Sequence, residues 1–350
     1  MALTDLTHHI GQWLRGTGPL SEVVVSSRVR LARNLADGPF VARCSTARAR
    51  QLEARLRDAI LSAELSPKMF YVDLVSISAL DRQLLVERHL ISKHHAQAKH
   101  PRGLAVSSEE SLAIMVNEED HLRIQVFGSG LELDDIFAAV QKVDDQLESQ
   151  LDFAFHQKYG YLTACPSNVG TGLRVSCMLH LPALKMTGEI DKVVRAAHEL
   201  RLEVRGLYGE GSEASGDLFQ VSNQVTLGAS EAQILQQFRD NTIGEIITYE
   251  QKAREALMSH QRLALEDKVY RALGLLRSCR MASSDETMYL LSLVRLGIHL
   301  GIVRDVELKT VNELFLLTQP AHLQKMLKTD LSADQRAVAR AEYIRRRLGG

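Results

Sequence analysis

The sequence predicts an α+β fold: an antiparallel sheet flanked by helices, followed by an all-helical C-terminal domain. Three observations carry this. Short β-rich runs follow one another in pairs, and the runs at 113–117 and 122–127 are joined by the acidic turn "EED", which reads as an antiparallel hairpin. The stretch "LELDDIFAAVQKVDDQLESQLDFAF" places Leu133, Ile136, Phe137, Val140, Val143 and Leu147 on one helical face. After about residue 230 the pattern turns to a 3.6-residue period, without proline or a β-rich run through 278.

Taken in order, the strands are expected at 23–28 ("VVVSSR"), 69–74, 113–117, 122–127, 202–207 and 218–221, with the amphipathic helix between the fourth and fifth. The helical pattern then runs to Gly350, broken near Gly301 and Pro320. These readings divide the chain into an N-terminal segment (1–20), an α+β domain (21–245) and a helical domain (246–350).

Composition narrows the function classes. The chain has 350 residues, 45% hydrophobic and 24% charged, enough for two separate cores. Lys+Arg at 42 against Asp+Glu at 43 gives no global charge that would draw nucleic acid, so no direct nucleic-acid binding is expected. The opening "MALTDLTHHIGQWLRG" lacks the apolar core of an export signal, and no run reaches the length of a membrane span. Cys44, Cys165, Cys177 and Cys279 show no C-x-x-C or zinc spacing, as expected of reduced thiols in a cytoplasmic protein.

The glycines of "ACPSNVGTGLRVSCM" fit neither a P-loop, which needs Lys-Ser/Thr after the second glycine, nor a dinucleotide fingerprint, which needs a third. On spacing alone they are a turn before a helix. Cys165 at such a helix start would favour its thiolate. Arg28 and Arg30 alternate on one strand and so share a face, where they repel unless an anion lies between them. Arg123, Arg174 and Arg205 stand on or beside other strands, and a triphosphate would supply the missing charge. Glu118, Glu119, Asp120, Glu210 and Glu213 fall in acidic turns, whose ordinary reading is solvent-facing.

Four motifs in order, "SSRVRLARNL", "VNEEDHLRI", "CPSNVGTGLR" and "VRGLYGEGSE", resemble the catalytic core of the phosphagen (guanidino) kinases over about residues 20–250. With about twenty residues before the first motif and a helical region after the last, the chain looks most like the bacterial branch that phosphorylates arginine in proteins. The stretches "HLISKHHAQ" and "RAVARAEYIRRRL" also resemble that branch.

The resemblance implies a phosphagen-kinase-like catalytic domain and a C-terminal domain for dimerisation and regulation. It implies ATP at Ser26, Ser27, Arg28, Val29, Arg30, His89, Arg123, Arg174, Val175, Ser176, Cys177, Met178, Arg205, Gly206, Leu207, Tyr208, Gly209 and Glu210. Glu119 and Glu210 would grip the acceptor guanidinium with Cys165 beside it, and Mg²⁺ would be held mainly by phosphates and water, with no dedicated protein metal site. Arg336 and Arg340 match an allosteric phosphoarginine pocket, although Ala337 stands where that pattern has aspartate. The implied partners are protein substrates with exposed arginines, an activator protein (McsA), the ClpC–ClpP protease and the CtsR repressor, with the chain a cytoplasmic homodimer active in the stress response. The alternatives are a kinase for free arginine or another guanidino metabolite, and a largely non-catalytic protease adaptor.

Overall fold

The computed structural model describes residues 6–7, 9–206 and 215–350. Its strands are β1 (Val24–Arg33), β2 (Met69–Asp73), β3 (Gly103–Ser107), β4 (Leu112–Val116), β5 (Leu122–Ser129), β6 (Phe155–His156), β7 (Gly160–Tyr161), β8 (Leu173–His180), β9 (Leu202–Gly206) and β10 (Leu218–Asn223). Eight of the described strands form one sheet in the order β2-β3-β4-β5-β1-β8-β10-β9, every neighbour antiparallel, and β6 pairs with β7 apart from it.

The helices are α1 (Thr46–Ser62), α2 (Ala79–Glu87), α3 (Lys93–Gln97), α4 (Leu133–Glu148), α5 (Pro182–Met186), α6 (Ile190–Glu199), α7 (Glu231–Gln236), α8 (Gly244–His260), α9 (Arg262–Ser278), α10 (Ser284–His299), α11 (Leu308–Leu317), α12 (Pro320–Leu327) and α13 (Ala333–Leu348). Local chemistry sets several starts. The Ser45, Ser78 and Ser283 hydroxyls accept from backbone N–H groups of the first turns of α1, α2 and α10. Ser230 with Gln233, and Ser332 with Gln335, form reciprocal capping boxes at α7 and α13. The expected breaks near Gly301 and Pro320 fall between α10 and α11 and at the first residue of α12.

Two strands of the large sheet, β3 and β8, and the short β6–β7 pair carry no strand signal in the sequence, and β8 lies beside β1 near the middle of the sheet. The "NVGTG" turn therefore leads into a strand and not a helix. Gly170 and Gly172 have φ +113° and +67°, and a Cβ there would meet the Thr226 and Ala32 carbonyl oxygens at 2.3 and 2.7 Å. The boundary expected near 245 falls inside a helical stretch that runs from α7 through a π turn at Gln237–Ile243 into α8. Ile246 and Ile247 of α8 belong to the same core as the sheet.

Cross-strand register divides the sheet into two unlike faces. On one, Val29 and Leu31 (β1), Ile124 and Val126 (β5) and Val175 and Cys177 (β8) meet Ile136 and Val140 of α4 and Leu52 and Leu56 of α1 in a continuous core. The other face is shared. Its flank, including Leu104, Val106, Met115, Phe127 and Met178, shares one core with Trp13 of the N-terminal segment, Leu85 and Val86 of α2, and apolar residues of helices α10 and α11. Its middle is an open polar cleft.

Candidate active site

The cleft exists because polar residues take the alternate positions of strands whose other positions build the α4 core. Arg30 of β1 lies opposite Arg174 of β8 and Gln125 of β5, and Arg28 lies opposite Ser176. Gln220 of β10 lies opposite Met178 on one side and Arg205 of β9 on the other. Arg123 lies opposite Ala32, so the same face carries five guanidinium groups from four strands.

These cations are unevenly neutralised. Arg123 donates to Glu118 Oε2 at 3.1 Å. Arg174 pairs with Glu203 Oε2 at 2.8 Å, and Arg205 donates to the other oxygen of Glu203. Arg28 has neutral acceptors, Gln220 Oε1 at 2.9 Å and Ser176 Oγ at 3.3 Å. Arg30 is buried, and its Nε has no hydrogen-bond partner. Burial, and then the neighbouring Arg123, Arg174 and Arg205, push the Arg28 guanidinium down to about 9. Burial followed by Arg123 and Arg28 depresses Arg30 well below its ordinary value. Such a face is short of negative charge, and an anion laid across it would reverse both effects.

Three chambers share this face. A cleft of about 1090 Å³ is lined by Arg30, Arg123, Arg174 and Arg205 together with Glu118, Glu119, Asp120 and Cys165. The next chamber shares Arg30, Arg123 and Arg205 with it and adds Arg28, His89 and Gln220. Beyond lies a smaller pocket formed by Ser26, Arg28, His89, Met178, Phe127 and Trp13. Burial, then Arg28, holds the His89 imidazole down to about 3, so it is neutral. The Trp13 ring stands edge-on to it at 5.1 Å between centroids.

At the far end, the turn between β4 and β5 presents three carboxylates in different states. Burial would raise the Glu118 carboxyl, but Arg123, the Ser92 hydroxyl and the Glu119 N–H hold it at about 2. Glu119 is exposed in the cleft, and partial burial, followed by Asp120 and Glu118, raises its carboxyl. Asp120 Oδ1 accepts from the Ala164 N–H and from Asn34 Nδ2, each at 2.6 Å. It thereby ties the residue before Cys165 to the turn that carries Glu119. Cys165 precedes a single 3-10 turn, Pro166–Asn168, and its Sγ lies 2.9 Å from Ser167 Oγ. The expected helix start at this cysteine is absent, because the chain passes from that turn into β8.

The structure brings Ser26, Arg28, Arg30, His89, Arg123, Arg174, Ser176, Met178, Arg205, Glu119 and Cys165 to this one surface. The side chains of Ser27, Val29, Val175 and Cys177 lie on the opposite face, where Ser27 Oγ donates to Gly130 O at 2.6 Å. Gly206 ends β9, and Leu207, Tyr208, Gly209, Glu210 and Glu213 lie outside the described residues. Glu203, Gln220 and Trp13 were not foreseen. Only Glu203 left a signal, as an acidic residue alternating with Arg205 on a strand.

Away from the cleft, Arg340 is buried and donates to Thr318 O and Ala282 O, both at 2.8 Å, and to Ser284 Oγ at 2.9 Å. Arg336 donates to Leu331 O. In this arrangement Arg340 knits α13 to the chain before α10 and α12. Among the described residues no three His, Cys, Asp or Glu side chains are grouped to hold a metal ion, and no helix is long and apolar enough to cross a membrane.

Chemically, a polyphosphate along the arginines would point one end at the Glu119–Cys165 pair, where a cationic acceptor would be received. Residues 51–253 match the family profile described as ATP:guanido phosphotransferase, C-terminal catalytic domain, and residues 262–350 match that of the protein-arginine kinase McsB C-terminal domain. A protein-arginine kinase of Halothermothrix orenii is 44% identical over 349 residues, 99% of each chain. One from Symbiobacterium thermophilum is 47% identical over 341 residues, 96% of each. Among solved structures, the duplicated taurocyamine kinase of Schistosoma mansoni with bound transition-state-analogue components superposes with a TM-score of 0.59 at 26% identity, over 72% of this chain and 35% of that one. Lombricine kinase superposes at 0.57 with 24% identity, over 72% and 71%, a likeness of fold alone.

Proposed function

Because the chain belongs to the ATP:guanido phosphotransferase family, in its protein-arginine kinase branch, we propose that it transfers the γ-phosphoryl group of ATP to arginine side chains of proteins. The observation that carries the reading of the site is the arginine face itself. Five guanidinium groups converge there, and the buried Arg30 Nε lacks an acceptor.

In this reading the triphosphate lies along Arg28, Arg30, Arg123, Arg174 and Arg205, with the base toward Ser26, His89 and Met178. Neutral His89 can stack or hydrogen-bond without repelling a base. Mg²⁺ bound with the nucleotide would be held by phosphate oxygens and water and would supply charge screening for the transferring group. The acceptor guanidinium enters at Glu119 and Cys165, and Glu210 joins them by the family resemblance. An arginine cation with a pKa above ~12 is a poor nucleophile until a base takes its proton. Glu119, whose carboxyl is raised, is the better base of the turn, whereas Glu118 stays ionised against Arg123. One guanidinium nitrogen attacks phosphorus in line as its proton passes to Glu119. The N–P bond forms, the bond to the β–γ bridging oxygen breaks, and ADP leaves with the electron pair. The arginine face stabilises the charge that develops on the departing bridging oxygen and on the non-bridging oxygens of the transferring group.

The kinship with protein-arginine kinases favours a side chain presented by a protein over a small metabolite. The remaining partners belong to the same proposal: an activator protein, a protease that receives the marked proteins, a repressor among the substrates, and a second copy of the chain. For the last, Leu263, Tyr270 and Tyr289 of the C-terminal helices are exposed. The test is incubation with ATP-Mg²⁺ and either casein or free L-arginine, read by mass spectrometry for acid-labile phosphoarginine, with Cys165→Ala alongside. Phosphate on casein arginines and none on the amino acid is expected. Label on free arginine alone would replace the protein kinase with a metabolic one.

A further inference from the structure

The residue before the His89 turn is held by a helix more than two hundred positions away. Glu87, the last residue of α2, is buried and accepts from the Ala321 N–H at 2.9 Å and the His322 N–H at 3.2 Å, at the start of α12. Its Oε2 also lies 2.8 Å from His322 Nδ1. The other ring nitrogen, Nε2, lies 3.1 Å from Arg88 Nη1. A guanidinium can only donate, so Nε2 accepts and the proton sits on Nδ1, directed at Glu87. This arrangement requires a neutral ring, and burial, opposed by Glu87, depresses the His322 imidazole below its ordinary range.

Arg88 is spent entirely inside the same junction. It donates to both oxygens of Glu110 and to His9 O. Glu87, Arg88, Glu110 and His322 are all essentially inaccessible to solvent. A cluster of this kind costs desolvation free energy and adds little net stability, so its usual value is in fixing a unique arrangement. What it fixes here is the next residue. His89 follows Arg88 in the left-handed region at φ +58°, its N–H bonded to Val86 O and its carbonyl near Gln125. Its ring forms a wall of the pocket beside Arg28.

We propose that His322, acting through Glu87 and Arg88, is a positioning residue for the nucleotide pocket, so that the C-terminal helices set the placement of His89 and hence the affinity for ATP. This rests on the nucleotide reading given above. A displacement of α12 withdraws the Glu87 anchor and lets the end of α2 rotate, and the pocket loosens while the acceptor end of the cleft, built on β4, β5 and the Cys165 loop, is untouched.

The test uses the full chain with three variants. His322→Leu removes both ring links, to Glu87 and to Arg88, and leaves the backbone donors of Ala321 and His322 in place. His322→Asn keeps a side-chain donor for Glu87. Lys325→Met breaks the ion pair with Asp81 (2.5 Å), at the other end of the same α2–α12 contact. In His322→Leu, the KM for ATP is expected to rise about fivefold to tenfold with kcat and the KM for casein within about twofold. The asparagine variant should recover part of that loss. Lys325→Met should lower Tm without moving the KM for ATP. If His322→Leu and Lys325→Met change KM and Tm in the same proportion, or if His322→Leu leaves the KM for ATP unchanged, the junction is merely structural and the proposal is overturned. Equilibrium binding of a fluorescent ATP analogue to wild type and His89→Ala separates the two readings. Failure of the wild type to bind overturns the nucleotide site and the inference with it. Binding that weakens in His89→Ala but not in His322→Leu overturns the inference alone.

Discussion

The two faces of the sheet are made by alternate residues of the same strands, and they obey opposite energetics. On the α4 side, Val29, Leu31, Ile124, Val175 and Leu173 are all but inaccessible, and each contributes about 1.5–3 kcal/mol by leaving water. On the cleft side, the neighbours in sequence are Arg28, Arg30, Arg123 and Arg174, which repel one another and are partly stripped of water. The first face holds the second in place. A sheet that had only to be stable would not set five cations together on one face, so the cost on the cleft face marks where function was placed.

The comparison breaks most visibly at Arg30. Arg30→Gln is expected to lower kcat/KM for casein phosphorylation by about 10²–10³, while Tm is unchanged or higher because a buried like-charge contact is gone. Steady-state kinetics and a melting curve on one preparation check both halves. Ile124→Ala, next to Arg123 but facing α4, should do the reverse, losing about 2–5 kcal/mol in urea unfolding with kinetics per folded molecule unchanged.

Gly172 joins the faces, because its turn carries the chain from the Cys165 loop into β8. Gly172→Ala places a Cβ 2.7 Å from Ala32 O at a φ of +67°. The expected loss is about 1–2 kcal/mol of stability together with a measurable fall in kcat, since the loop bearing Cys165 must shift.

The smallest effect is on pH. Glu119 must be ionised to accept a proton, and its carboxyl is raised by burial, Asp120 and Glu118, so activity should fall as pH drops through a value above that of an ordinary glutamate. Glu118→Gln removes one neighbouring anion and frees Arg123 to act on Glu119. Both changes lower the Glu119 value, so the acidic limb of the pH–rate profile should move to lower pH. An upward shift would remove Glu119 as the base. Glu118 has the opposite linkage. Its folded value of about 2 lies below that of the unfolded chain, so its contribution to stability is full above the ordinary glutamate range and is lost as pH falls toward 2.

Much of this was legible in the sequence, and the reasons differ by element. The β4–β5 hairpin and α4 announced themselves because one face of each is buried and the period shows. Strand β8 did not, because its Gly-rich entry reads equally well as a helix start and Arg174 and Ser176 interrupt its apolar run. The site residues were found as separate motifs, but their convergence depends on β1 lying between β5 and β8, a register set by contacts across about a hundred residues or more. Glu203 shows in the sequence only as an acidic residue alternating with Arg205, and Gln220 shows not at all; their roles come from facing Arg174, Arg205 and Arg28. The buried Glu87–His322 junction had no sequence signal at all, since its two halves are ordinary residues of unrelated helices.

The central claim is that the arginine face receives the polyphosphate of ATP. Its most direct test is calorimetric binding of ATP-Mg²⁺ to wild type and Arg30→Gln at one ionic strength. The structure predicts saturable binding by the wild type and an affinity at least about tenfold weaker in the variant, from loss of a charge-assisted contact. Equal affinities in two equally folded proteins would contradict it.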